Sequence, residues 1–126
     1  MNLVKILEKA MNEFKIINNY FKSLTKKNPS AKKLNDDVFF DKKKGVVISL
    51  DTYNSGIHFL GFEYPYYIVK KIIRSSLSDL ICKGVKPKYY FLSGGGNKQT
   101  FTKKNLSLIS KSLKEEQKKY SIIVGG

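Results

Sequence analysis

Carboxylates are scarce in this chain. Ten Asp and Glu stand against 24 Lys and Arg, a formal net charge of +14. Such an excess points either to a polyanionic partner, nucleic acid or nucleotide, or to a solvated lysine surface. The lysines occur as short runs spread along the chain (Lys26-Lys27, Lys32-Lys33, Lys42-Lys43-Lys44), which favours solvated surface and makes nucleic acid the weaker expectation. Cysteine is almost missing: Cys82 stands alone, which excludes an internal disulfide and suits a reducing compartment. Long apolar runs are missing too, so the sequence holds no candidate membrane span. The opening MNLVKILEKA is interrupted by Lys5, Glu8 and Lys9 and lacks the apolar core of a signal peptide. These absences predict a cytoplasmic protein with no membrane partner.

What is present fits one globular domain. The 126 residues can bury only a modest core, and 41% hydrophobic content is too high for a disordered chain. Leu3, Leu7, Ala10, Phe14, Ile17, Phe21 and Leu24 recur at spacings of four and three, which predicts an amphipathic helix from Asn2 as its cap to residue 24, packed on the domain that follows. Residues 25–35 read as a loop. Val38-Phe39-Phe40 and Val46 to Asp51 read as two strands of a hairpin turning at Lys42–Gly45, with Gly45 at positive φ. Pro65 opens a second helix that Gly84 ends and Pro87 keeps from resuming. Lys88 to Ser93 reads as a strand. Thr102 caps a third helix with Leu106, Ile109 and Leu113 inward and Glu115 and Glu116 toward water, and Tyr120 to Val124 forms the last strand. The predicted fold is α/β (α+β): a mixed sheet of about four strands, helices on one face, the other face open for a second copy.

The organising stretch is GVVISLDTYNSGIHFL, Gly45 to Leu60, a strand running into a loop with Asp51, Asn54 and His58. If the hairpin pairs Asp41 near Val46, then Asp36 and Asp37 approach Asp51, and like charges so placed require a cation or raised pKa values. The alternative is that Asp36 and Asp37 only cap a loop. Asp79 falls in the last turn of its helix, where the macrodipole disfavours an anion, so it is either tolerated at the surface or wanted for a ligand. Gly94-Gly95-Gly96 can present backbone N–H groups to phosphate or simply turn the chain. No complete phosphate-loop pattern surrounds it.

Three segments taken together resemble the thiamine-monophosphate kinase family: Leu34-Asn35-Asp36-Asp37; Val47-Ile48-Ser49-Leu50-Asp51-Thr52 with Gly56-Ile57-His58-Phe59-Leu60; and Ser76-Leu77-Ser78-Asp79-Leu80 with Gly84-Val85-Lys86-Pro87. The closing Ile123-Val124-Gly125-Gly126 also fits that family's N-terminal domain, which is related to aminoimidazole ribonucleotide synthetase. Asn12-Glu13-Phe14 resembles the family's opening helix, with Met11 as the ancestral start. The resemblance implies ATP-dependent phosphorylation of thiamine monophosphate to the diphosphate with Mg²⁺, in a homodimer. Carried over by position, it implies that Asp37, Ser49, Asp51 and Asp79 hold metal, with Asp51 and Asp79 the catalytic pair. It implies that His58 contacts substrate and that Gly125 and Gly126 approach the nucleotide phosphates. In-line phosphoryl transfer relies on positioning and charge neutralisation, which suits hard metal ions on clustered carboxylates.

The chain departs from the family pattern at Asn35 (usually glycine), Leu50 (usually threonine) and Ser76 (usually asparagine). A metal-binding aspartate is expected just after Gly126, followed by a second domain. The expectation is therefore an N-terminal helix over residues 1–24, an incomplete ATP/Mg-binding domain over 25–126, and a fragment inactive by itself. Two alternatives remain: the ATP-binding half of another synthetase of the same superfamily, and a basic nucleic-acid-binding module.

Overall fold

The computed structural model describes residues 12–126. They fall into two compact units, divided between Ile48 and Ser49.

The first unit opens at Asn12, whose backbone is extended (φ −69°, ψ 161°) and whose Oδ1 accepts from the Lys15 N–H at 2.9 Å. That is an N-cap. The single helix expected over 2–24 is therefore interrupted at Asn12, and residues 2–11 lie outside the described residues. One α-turn, α1 (Glu13–Ile16), widens into a π-turn over Ile17–Phe21 and tightens into a 3₁₀ turn over Lys22–Thr25. A change of pitch carries a 3.6-residue stripe off a common face. Phe14 and Leu24 accordingly stay 74% and 78% exposed, against the expectation that this stripe packs inward.

The segment 25–35, expected as plain loop, contains 3₁₀ turns over Pro29–Leu34. Lys32, Lys33 and Leu34 there hold φ of 48°, 58° and 57° without being glycine, a conformation costing about 1 kcal/mol or more per residue. Asp36 secures the exit. Its Oδ1 accepts from the Val38 N–H at 3.3 Å and its Oδ2 pairs with Lys32 Nζ at 3.3 Å, while the same ammonium lies over the Phe40 ring. Strand β1 (Val38–Asp41) then pairs with β2 (Val46–Ser49). The turn between them is held by Asp41 Oδ1 accepting from the Lys44 N–H at 3.1 Å, with Gly45 at φ +65° as expected.

The second unit is a pair of packed helices flanked by a parallel strand pair. Helix α2 (Pro65–Ile81) starts with proline at its first position. It ends on Gly84 (φ +72°), with the Val85 N–H reaching back to the Leu80 carbonyl at 3.0 Å. Helix α3 (Lys103–Tyr120) is capped by Thr102, whose hydroxyl accepts from the Asn105 N–H at 3.2 Å. Strand β3 (Tyr89–Tyr90) lies parallel to β4 (Ile123–Val124), Tyr89 opposite Ile123 and Tyr90 opposite Val124, so that β3, α3 and β4 form a crossover unit. Val69, Ile73 and Leu77 of α2 meet Ile122 in the core, with Tyr90, Ile109, Leu113 and Tyr120 packed against them. Hydrogen bonds join the described strands as two pairs, where a single sheet of about four strands was expected.

Helix α3 packs Ile109 and Leu113 of its expected apolar stripe against the core, but its fully buried positions are polar. Ser112 and Glu116 are the buried positions (0% and 1% exposed), whereas Leu106 is 47% exposed. Ser112 Oγ donates to the Tyr66 carbonyl at 2.8 Å, and Glu116 receives both Arg74 Nε and Arg74 Nη2 at 2.9 and 2.8 Å. The expectation that Glu116 faces water is thus corrected: a bidentate guanidinium from α2 satisfies the buried carboxylate. The Glu116 bond in turn holds Arg74 more firmly protonated than usual.

Glu115, one residue earlier, is half exposed and accepts from Lys70 Nζ at 2.6 Å and Tyr66 Oη at 2.5 Å. Lys70 first, and Tyr66 second, hold its carboxyl below the ordinary carboxylate range. A group with a depressed folded pKa adds stability above its unfolded pKa of about 4.3, and that stability is lost as pH falls through the folded value. Glu115→Gln should therefore lower Tm at pH 7 and converge with the parent as the pH is taken to about 3, a comparison that thermal melts across pH will check.

Candidate metal and nucleotide site

The first turn beyond β2 and the last turn of α2 converge within the second unit. Ser49, the last residue of β2, donates its hydroxyl to Asp79 Oδ2 at 3.1 Å. β2 alternates as the period of two requires. Val47 and Ser49 are its more covered residues, while Val46 and Ile48 are 40% and 53% exposed and Leu50 beyond them 90%. Asp51, two residues beyond Ser49, accepts from Tyr53 Oη at 3.2 Å. Tyr53 Oη also lies 3.4 Å from Ser76 Oγ. With the phenol proton donated to Asp51, the Ser76 hydroxyl is the donor in that contact. Ser76 precedes Asp79 by three residues on α2, so both stand on one helix face. The result is a string of oxygens from two elements: Ser49 on Asp79, and Ser76 through Tyr53 to Asp51.

The loop after Asp51 is folded on itself. The Gly56 N–H donates to the Phe59 carbonyl at 2.7 Å, and the His58 N–H to the Asn54 carbonyl at 2.9 Å. His58 Nδ1 accepts from the Asn54 N–H at 2.9 Å, which places the imidazole proton on Nε2. The His58 ring meets the Tyr53 ring edge-on with centroids 5.4 Å apart. Lys71 of α2 ties the loop down by donating to the His58 carbonyl at 2.5 Å.

Of the residues singled out from the sequence, Ser49 and Asp79 are in direct contact, and Asp51 and His58 are both joined to Tyr53. Asp37 belongs to the first unit, exposed beside Asp36, whose carboxylate does the loop-capping work there. Gly125 and Gly126 extend the β3–β4 pairing: the Gly125 N–H donates to the Tyr90 carbonyl and the Leu92 N–H to the Gly126 carbonyl, both at 2.8 Å. A Cβ on Gly125 would lie 2.7 Å from the Phe91 ring, so glycine is needed for that aromatic to close on the strand. Tyr53 was not among the residues singled out. The signal for it was a phenol two residues after Asp51, within reach of its carboxylate.

Donor chemistry decides whether this arrangement suits a metal. All the atoms concerned are hard oxygens, the ligands Mg²⁺ prefers, and a hydroxyl 3.1 Å from a carboxylate oxygen is a pair that one ion can bridge. Among the described residues no three His, Cys, Asp or Glu are gathered together, so any metal there would rest on Ser49, Asp79 and Asp51 with solvent or phosphate oxygens completing its shell. The donor set fits.

Comparison with known proteins assigns the class. Residues 35–126 match the N-terminal domain of AIR synthase related proteins, and the chain belongs to that family. Its curated relatives are more particular. It is 36% identical over 86 residues to the thiamine-monophosphate kinase of Caulobacter vibrioides, an alignment covering 66% of this chain and 24% of that enzyme. It is also 37% identical over 86 residues to the thiamine-monophosphate kinase of Buchnera aphidicola subsp. Schizaphis graminum (65% and 27% covered), and 38% identical over 85 residues to that of Buchnera aphidicola subsp. Acyrthosiphon pisum (64% and 26%). The chain thus spans about a quarter of the length of these relatives. No solved structure matches it. Among the described residues no helix is long and apolar enough to cross a membrane.

Proposed function

We propose that this chain supplies the Mg²⁺- and ATP-binding part of a thiamine-monophosphate kinase, which transfers the γ-phosphoryl group of ATP to thiamine monophosphate. The observation that carries the reading is the Ser49–Asp79 contact with Asp51 held alongside through Tyr53 and Ser76. It lies inside the residues that match the family, and it joins two segments that the resemblance treats as one site. Mg²⁺ bound there would neutralise charge on the phosphates. Asp51 and Asp79 would be its carboxylate ligands, with Ser49 as a further donor; Asp37, in the first unit, is a metal ligand only by the family resemblance. His58, its proton on Nε2, is placed to donate to a substrate oxygen. Gly125 and Gly126 would let the chain pass close to the nucleotide phosphates. Exposed apolar strand residues, Val46 and Ile48 in β2 and, separately, Tyr89 and Ile123 in β3 and β4, support a homodimer. A cytoplasmic location is part of the same reading.

The test is to assay thiamine diphosphate formation from thiamine monophosphate, ATP and Mg²⁺. The complete protein should form product only with all three present, and the 126-residue chain alone should form none. Product from another phosphate acceptor in place of thiamine monophosphate would support the synthetase-type alternative. The +14 charge favours one further reading, nucleic-acid binding, which predicts affinity for generic RNA or DNA falling steeply with salt.

A further inference from the structure

Tyr53 links the two functional halves of the proposed site, and we infer that it is a positioning residue coupling the Asp51 carboxylate to His58. The inference rests on the reading of Asp51 as a metal ligand. Three contacts of one side chain carry it: its Oη donates to Asp51 Oδ2 at 3.2 Å, takes the Ser76 hydroxyl at 3.4 Å, and its ring meets the His58 imidazole at 5.4 Å between centroids. Asp51 is exposed, and an exposed carboxylate samples several rotamers unless something holds it. The phenol holds one oxygen and leaves the other for a ligand. Ser76 fixes the phenol in turn from α2, the helix that also carries Asp79, so Asp51 and Asp79 are referenced to one rigid element. The ring edge does the same for His58, whose Nδ1 is already committed to the Asn54 N–H. Replacing the hydroxyl should therefore loosen the carboxylate and spare the histidine, while replacing the ring should disturb both.

His58 is the only histidine of these 126 residues, and its imidazole signal in the complete protein is identified by its loss in His58→Asn. The experiment titrates Mg²⁺ alone into the complete protein, following binding by calorimetry and the His58 resonance by NMR. Tyr53→Phe should weaken Mg²⁺ binding by about 10-fold, the scale of losing a group that orients a metal ligand, and leave the KM for the phosphate acceptor within about twofold. Ser76→Ala should move Mg²⁺ binding in the same direction by less. Tyr53→Leu should weaken Mg²⁺ binding equally and also abolish the shift of the His58 signal that Mg²⁺ produces in the parent. Thermal melts of the three variants should stay close to the parent's, since the contacts are on a half-covered surface. Mg²⁺ binding unchanged in Tyr53→Phe would overturn the inference while leaving the site reading intact. No Mg²⁺ binding in the parent would overturn both.

Discussion

Asp79→Ala, introduced into the complete protein, is expected to reduce kinase turnover by roughly 10²–10³-fold while the protein stays folded, the scale on which one preorganised charge-stabilising group acts in group transfer. Asp79 sits in the final turn of α2, where the helix dipole opposes a carboxylate, and it accepts from the Ser49 hydroxyl. Removing it should therefore relieve an unfavourable term, so Tm should hold or rise as activity disappears. That opposite movement separates a functional carboxylate from a structural one. Asp51→Ala should lose turnover similarly, since exposed Asp51 contributes little to packing. Chromatographic detection of thiamine diphosphate, paired with melts of both variants, will check this. Turnover retained in either variant would remove that residue from the site.

Leu77→Ala is expected to have the largest effect on folding. Leu77 is 5% exposed and lies with Val69, Ile73 and Ile122 at the centre of the α2–α3 core. Truncating a buried leucine costs about 2–5 kcal/mol, through lost transfer energy and the cavity left behind. In a domain of this size that lowers Tm by roughly 10–20 °C. Leu60→Ala is the control, because Leu60 is 100% exposed and its removal should change stability by no more than about 0.5 kcal/mol. Leu77 also lies between Ser76 and Asp79 on α2, so at temperatures where Leu77→Ala is partly unfolded, metal binding should fall with the folded fraction. Equal melting temperatures for the two variants would show that the core has been misplaced.

Local chemistry was legible wherever one residue type has a single physical use. Gly45 and Gly84 take the positive φ that only glycine adopts cheaply, Pro65 opens α2, and Thr102 caps α3. Left-handed backbone at Lys32, Lys33, Leu34 and Ser121 could not be read, because none of these residues prefers it. Glu116 misled for another reason. A glutamate in a lysine-rich helix looks solvated, and the Arg74 that makes its burial tolerable lies 42 residues away in sequence. The same distance problem governs the site. Ser49 and Asp79 were each visible as candidates, but their meeting depends on tertiary packing across 30 residues, and the place of Tyr53 between Asp51 and Ser76 depends on it too. The departure at Ser76 gains a meaning from the structure, for its hydroxyl meets the phenol of Tyr53.

Mg²⁺-dependent nucleotide binding tests the central claim most directly. Calorimetric titration of ATP into the complete protein, with Mg²⁺ and with EDTA, should give saturable binding only with the metal. That binding should disappear in Asp51→Ala and Asp79→Ala. Binding of generic RNA that falls steeply with salt, together with indifference to Mg²⁺ and to both aspartates, would contradict the account and make the +14 charge the functional feature of the chain.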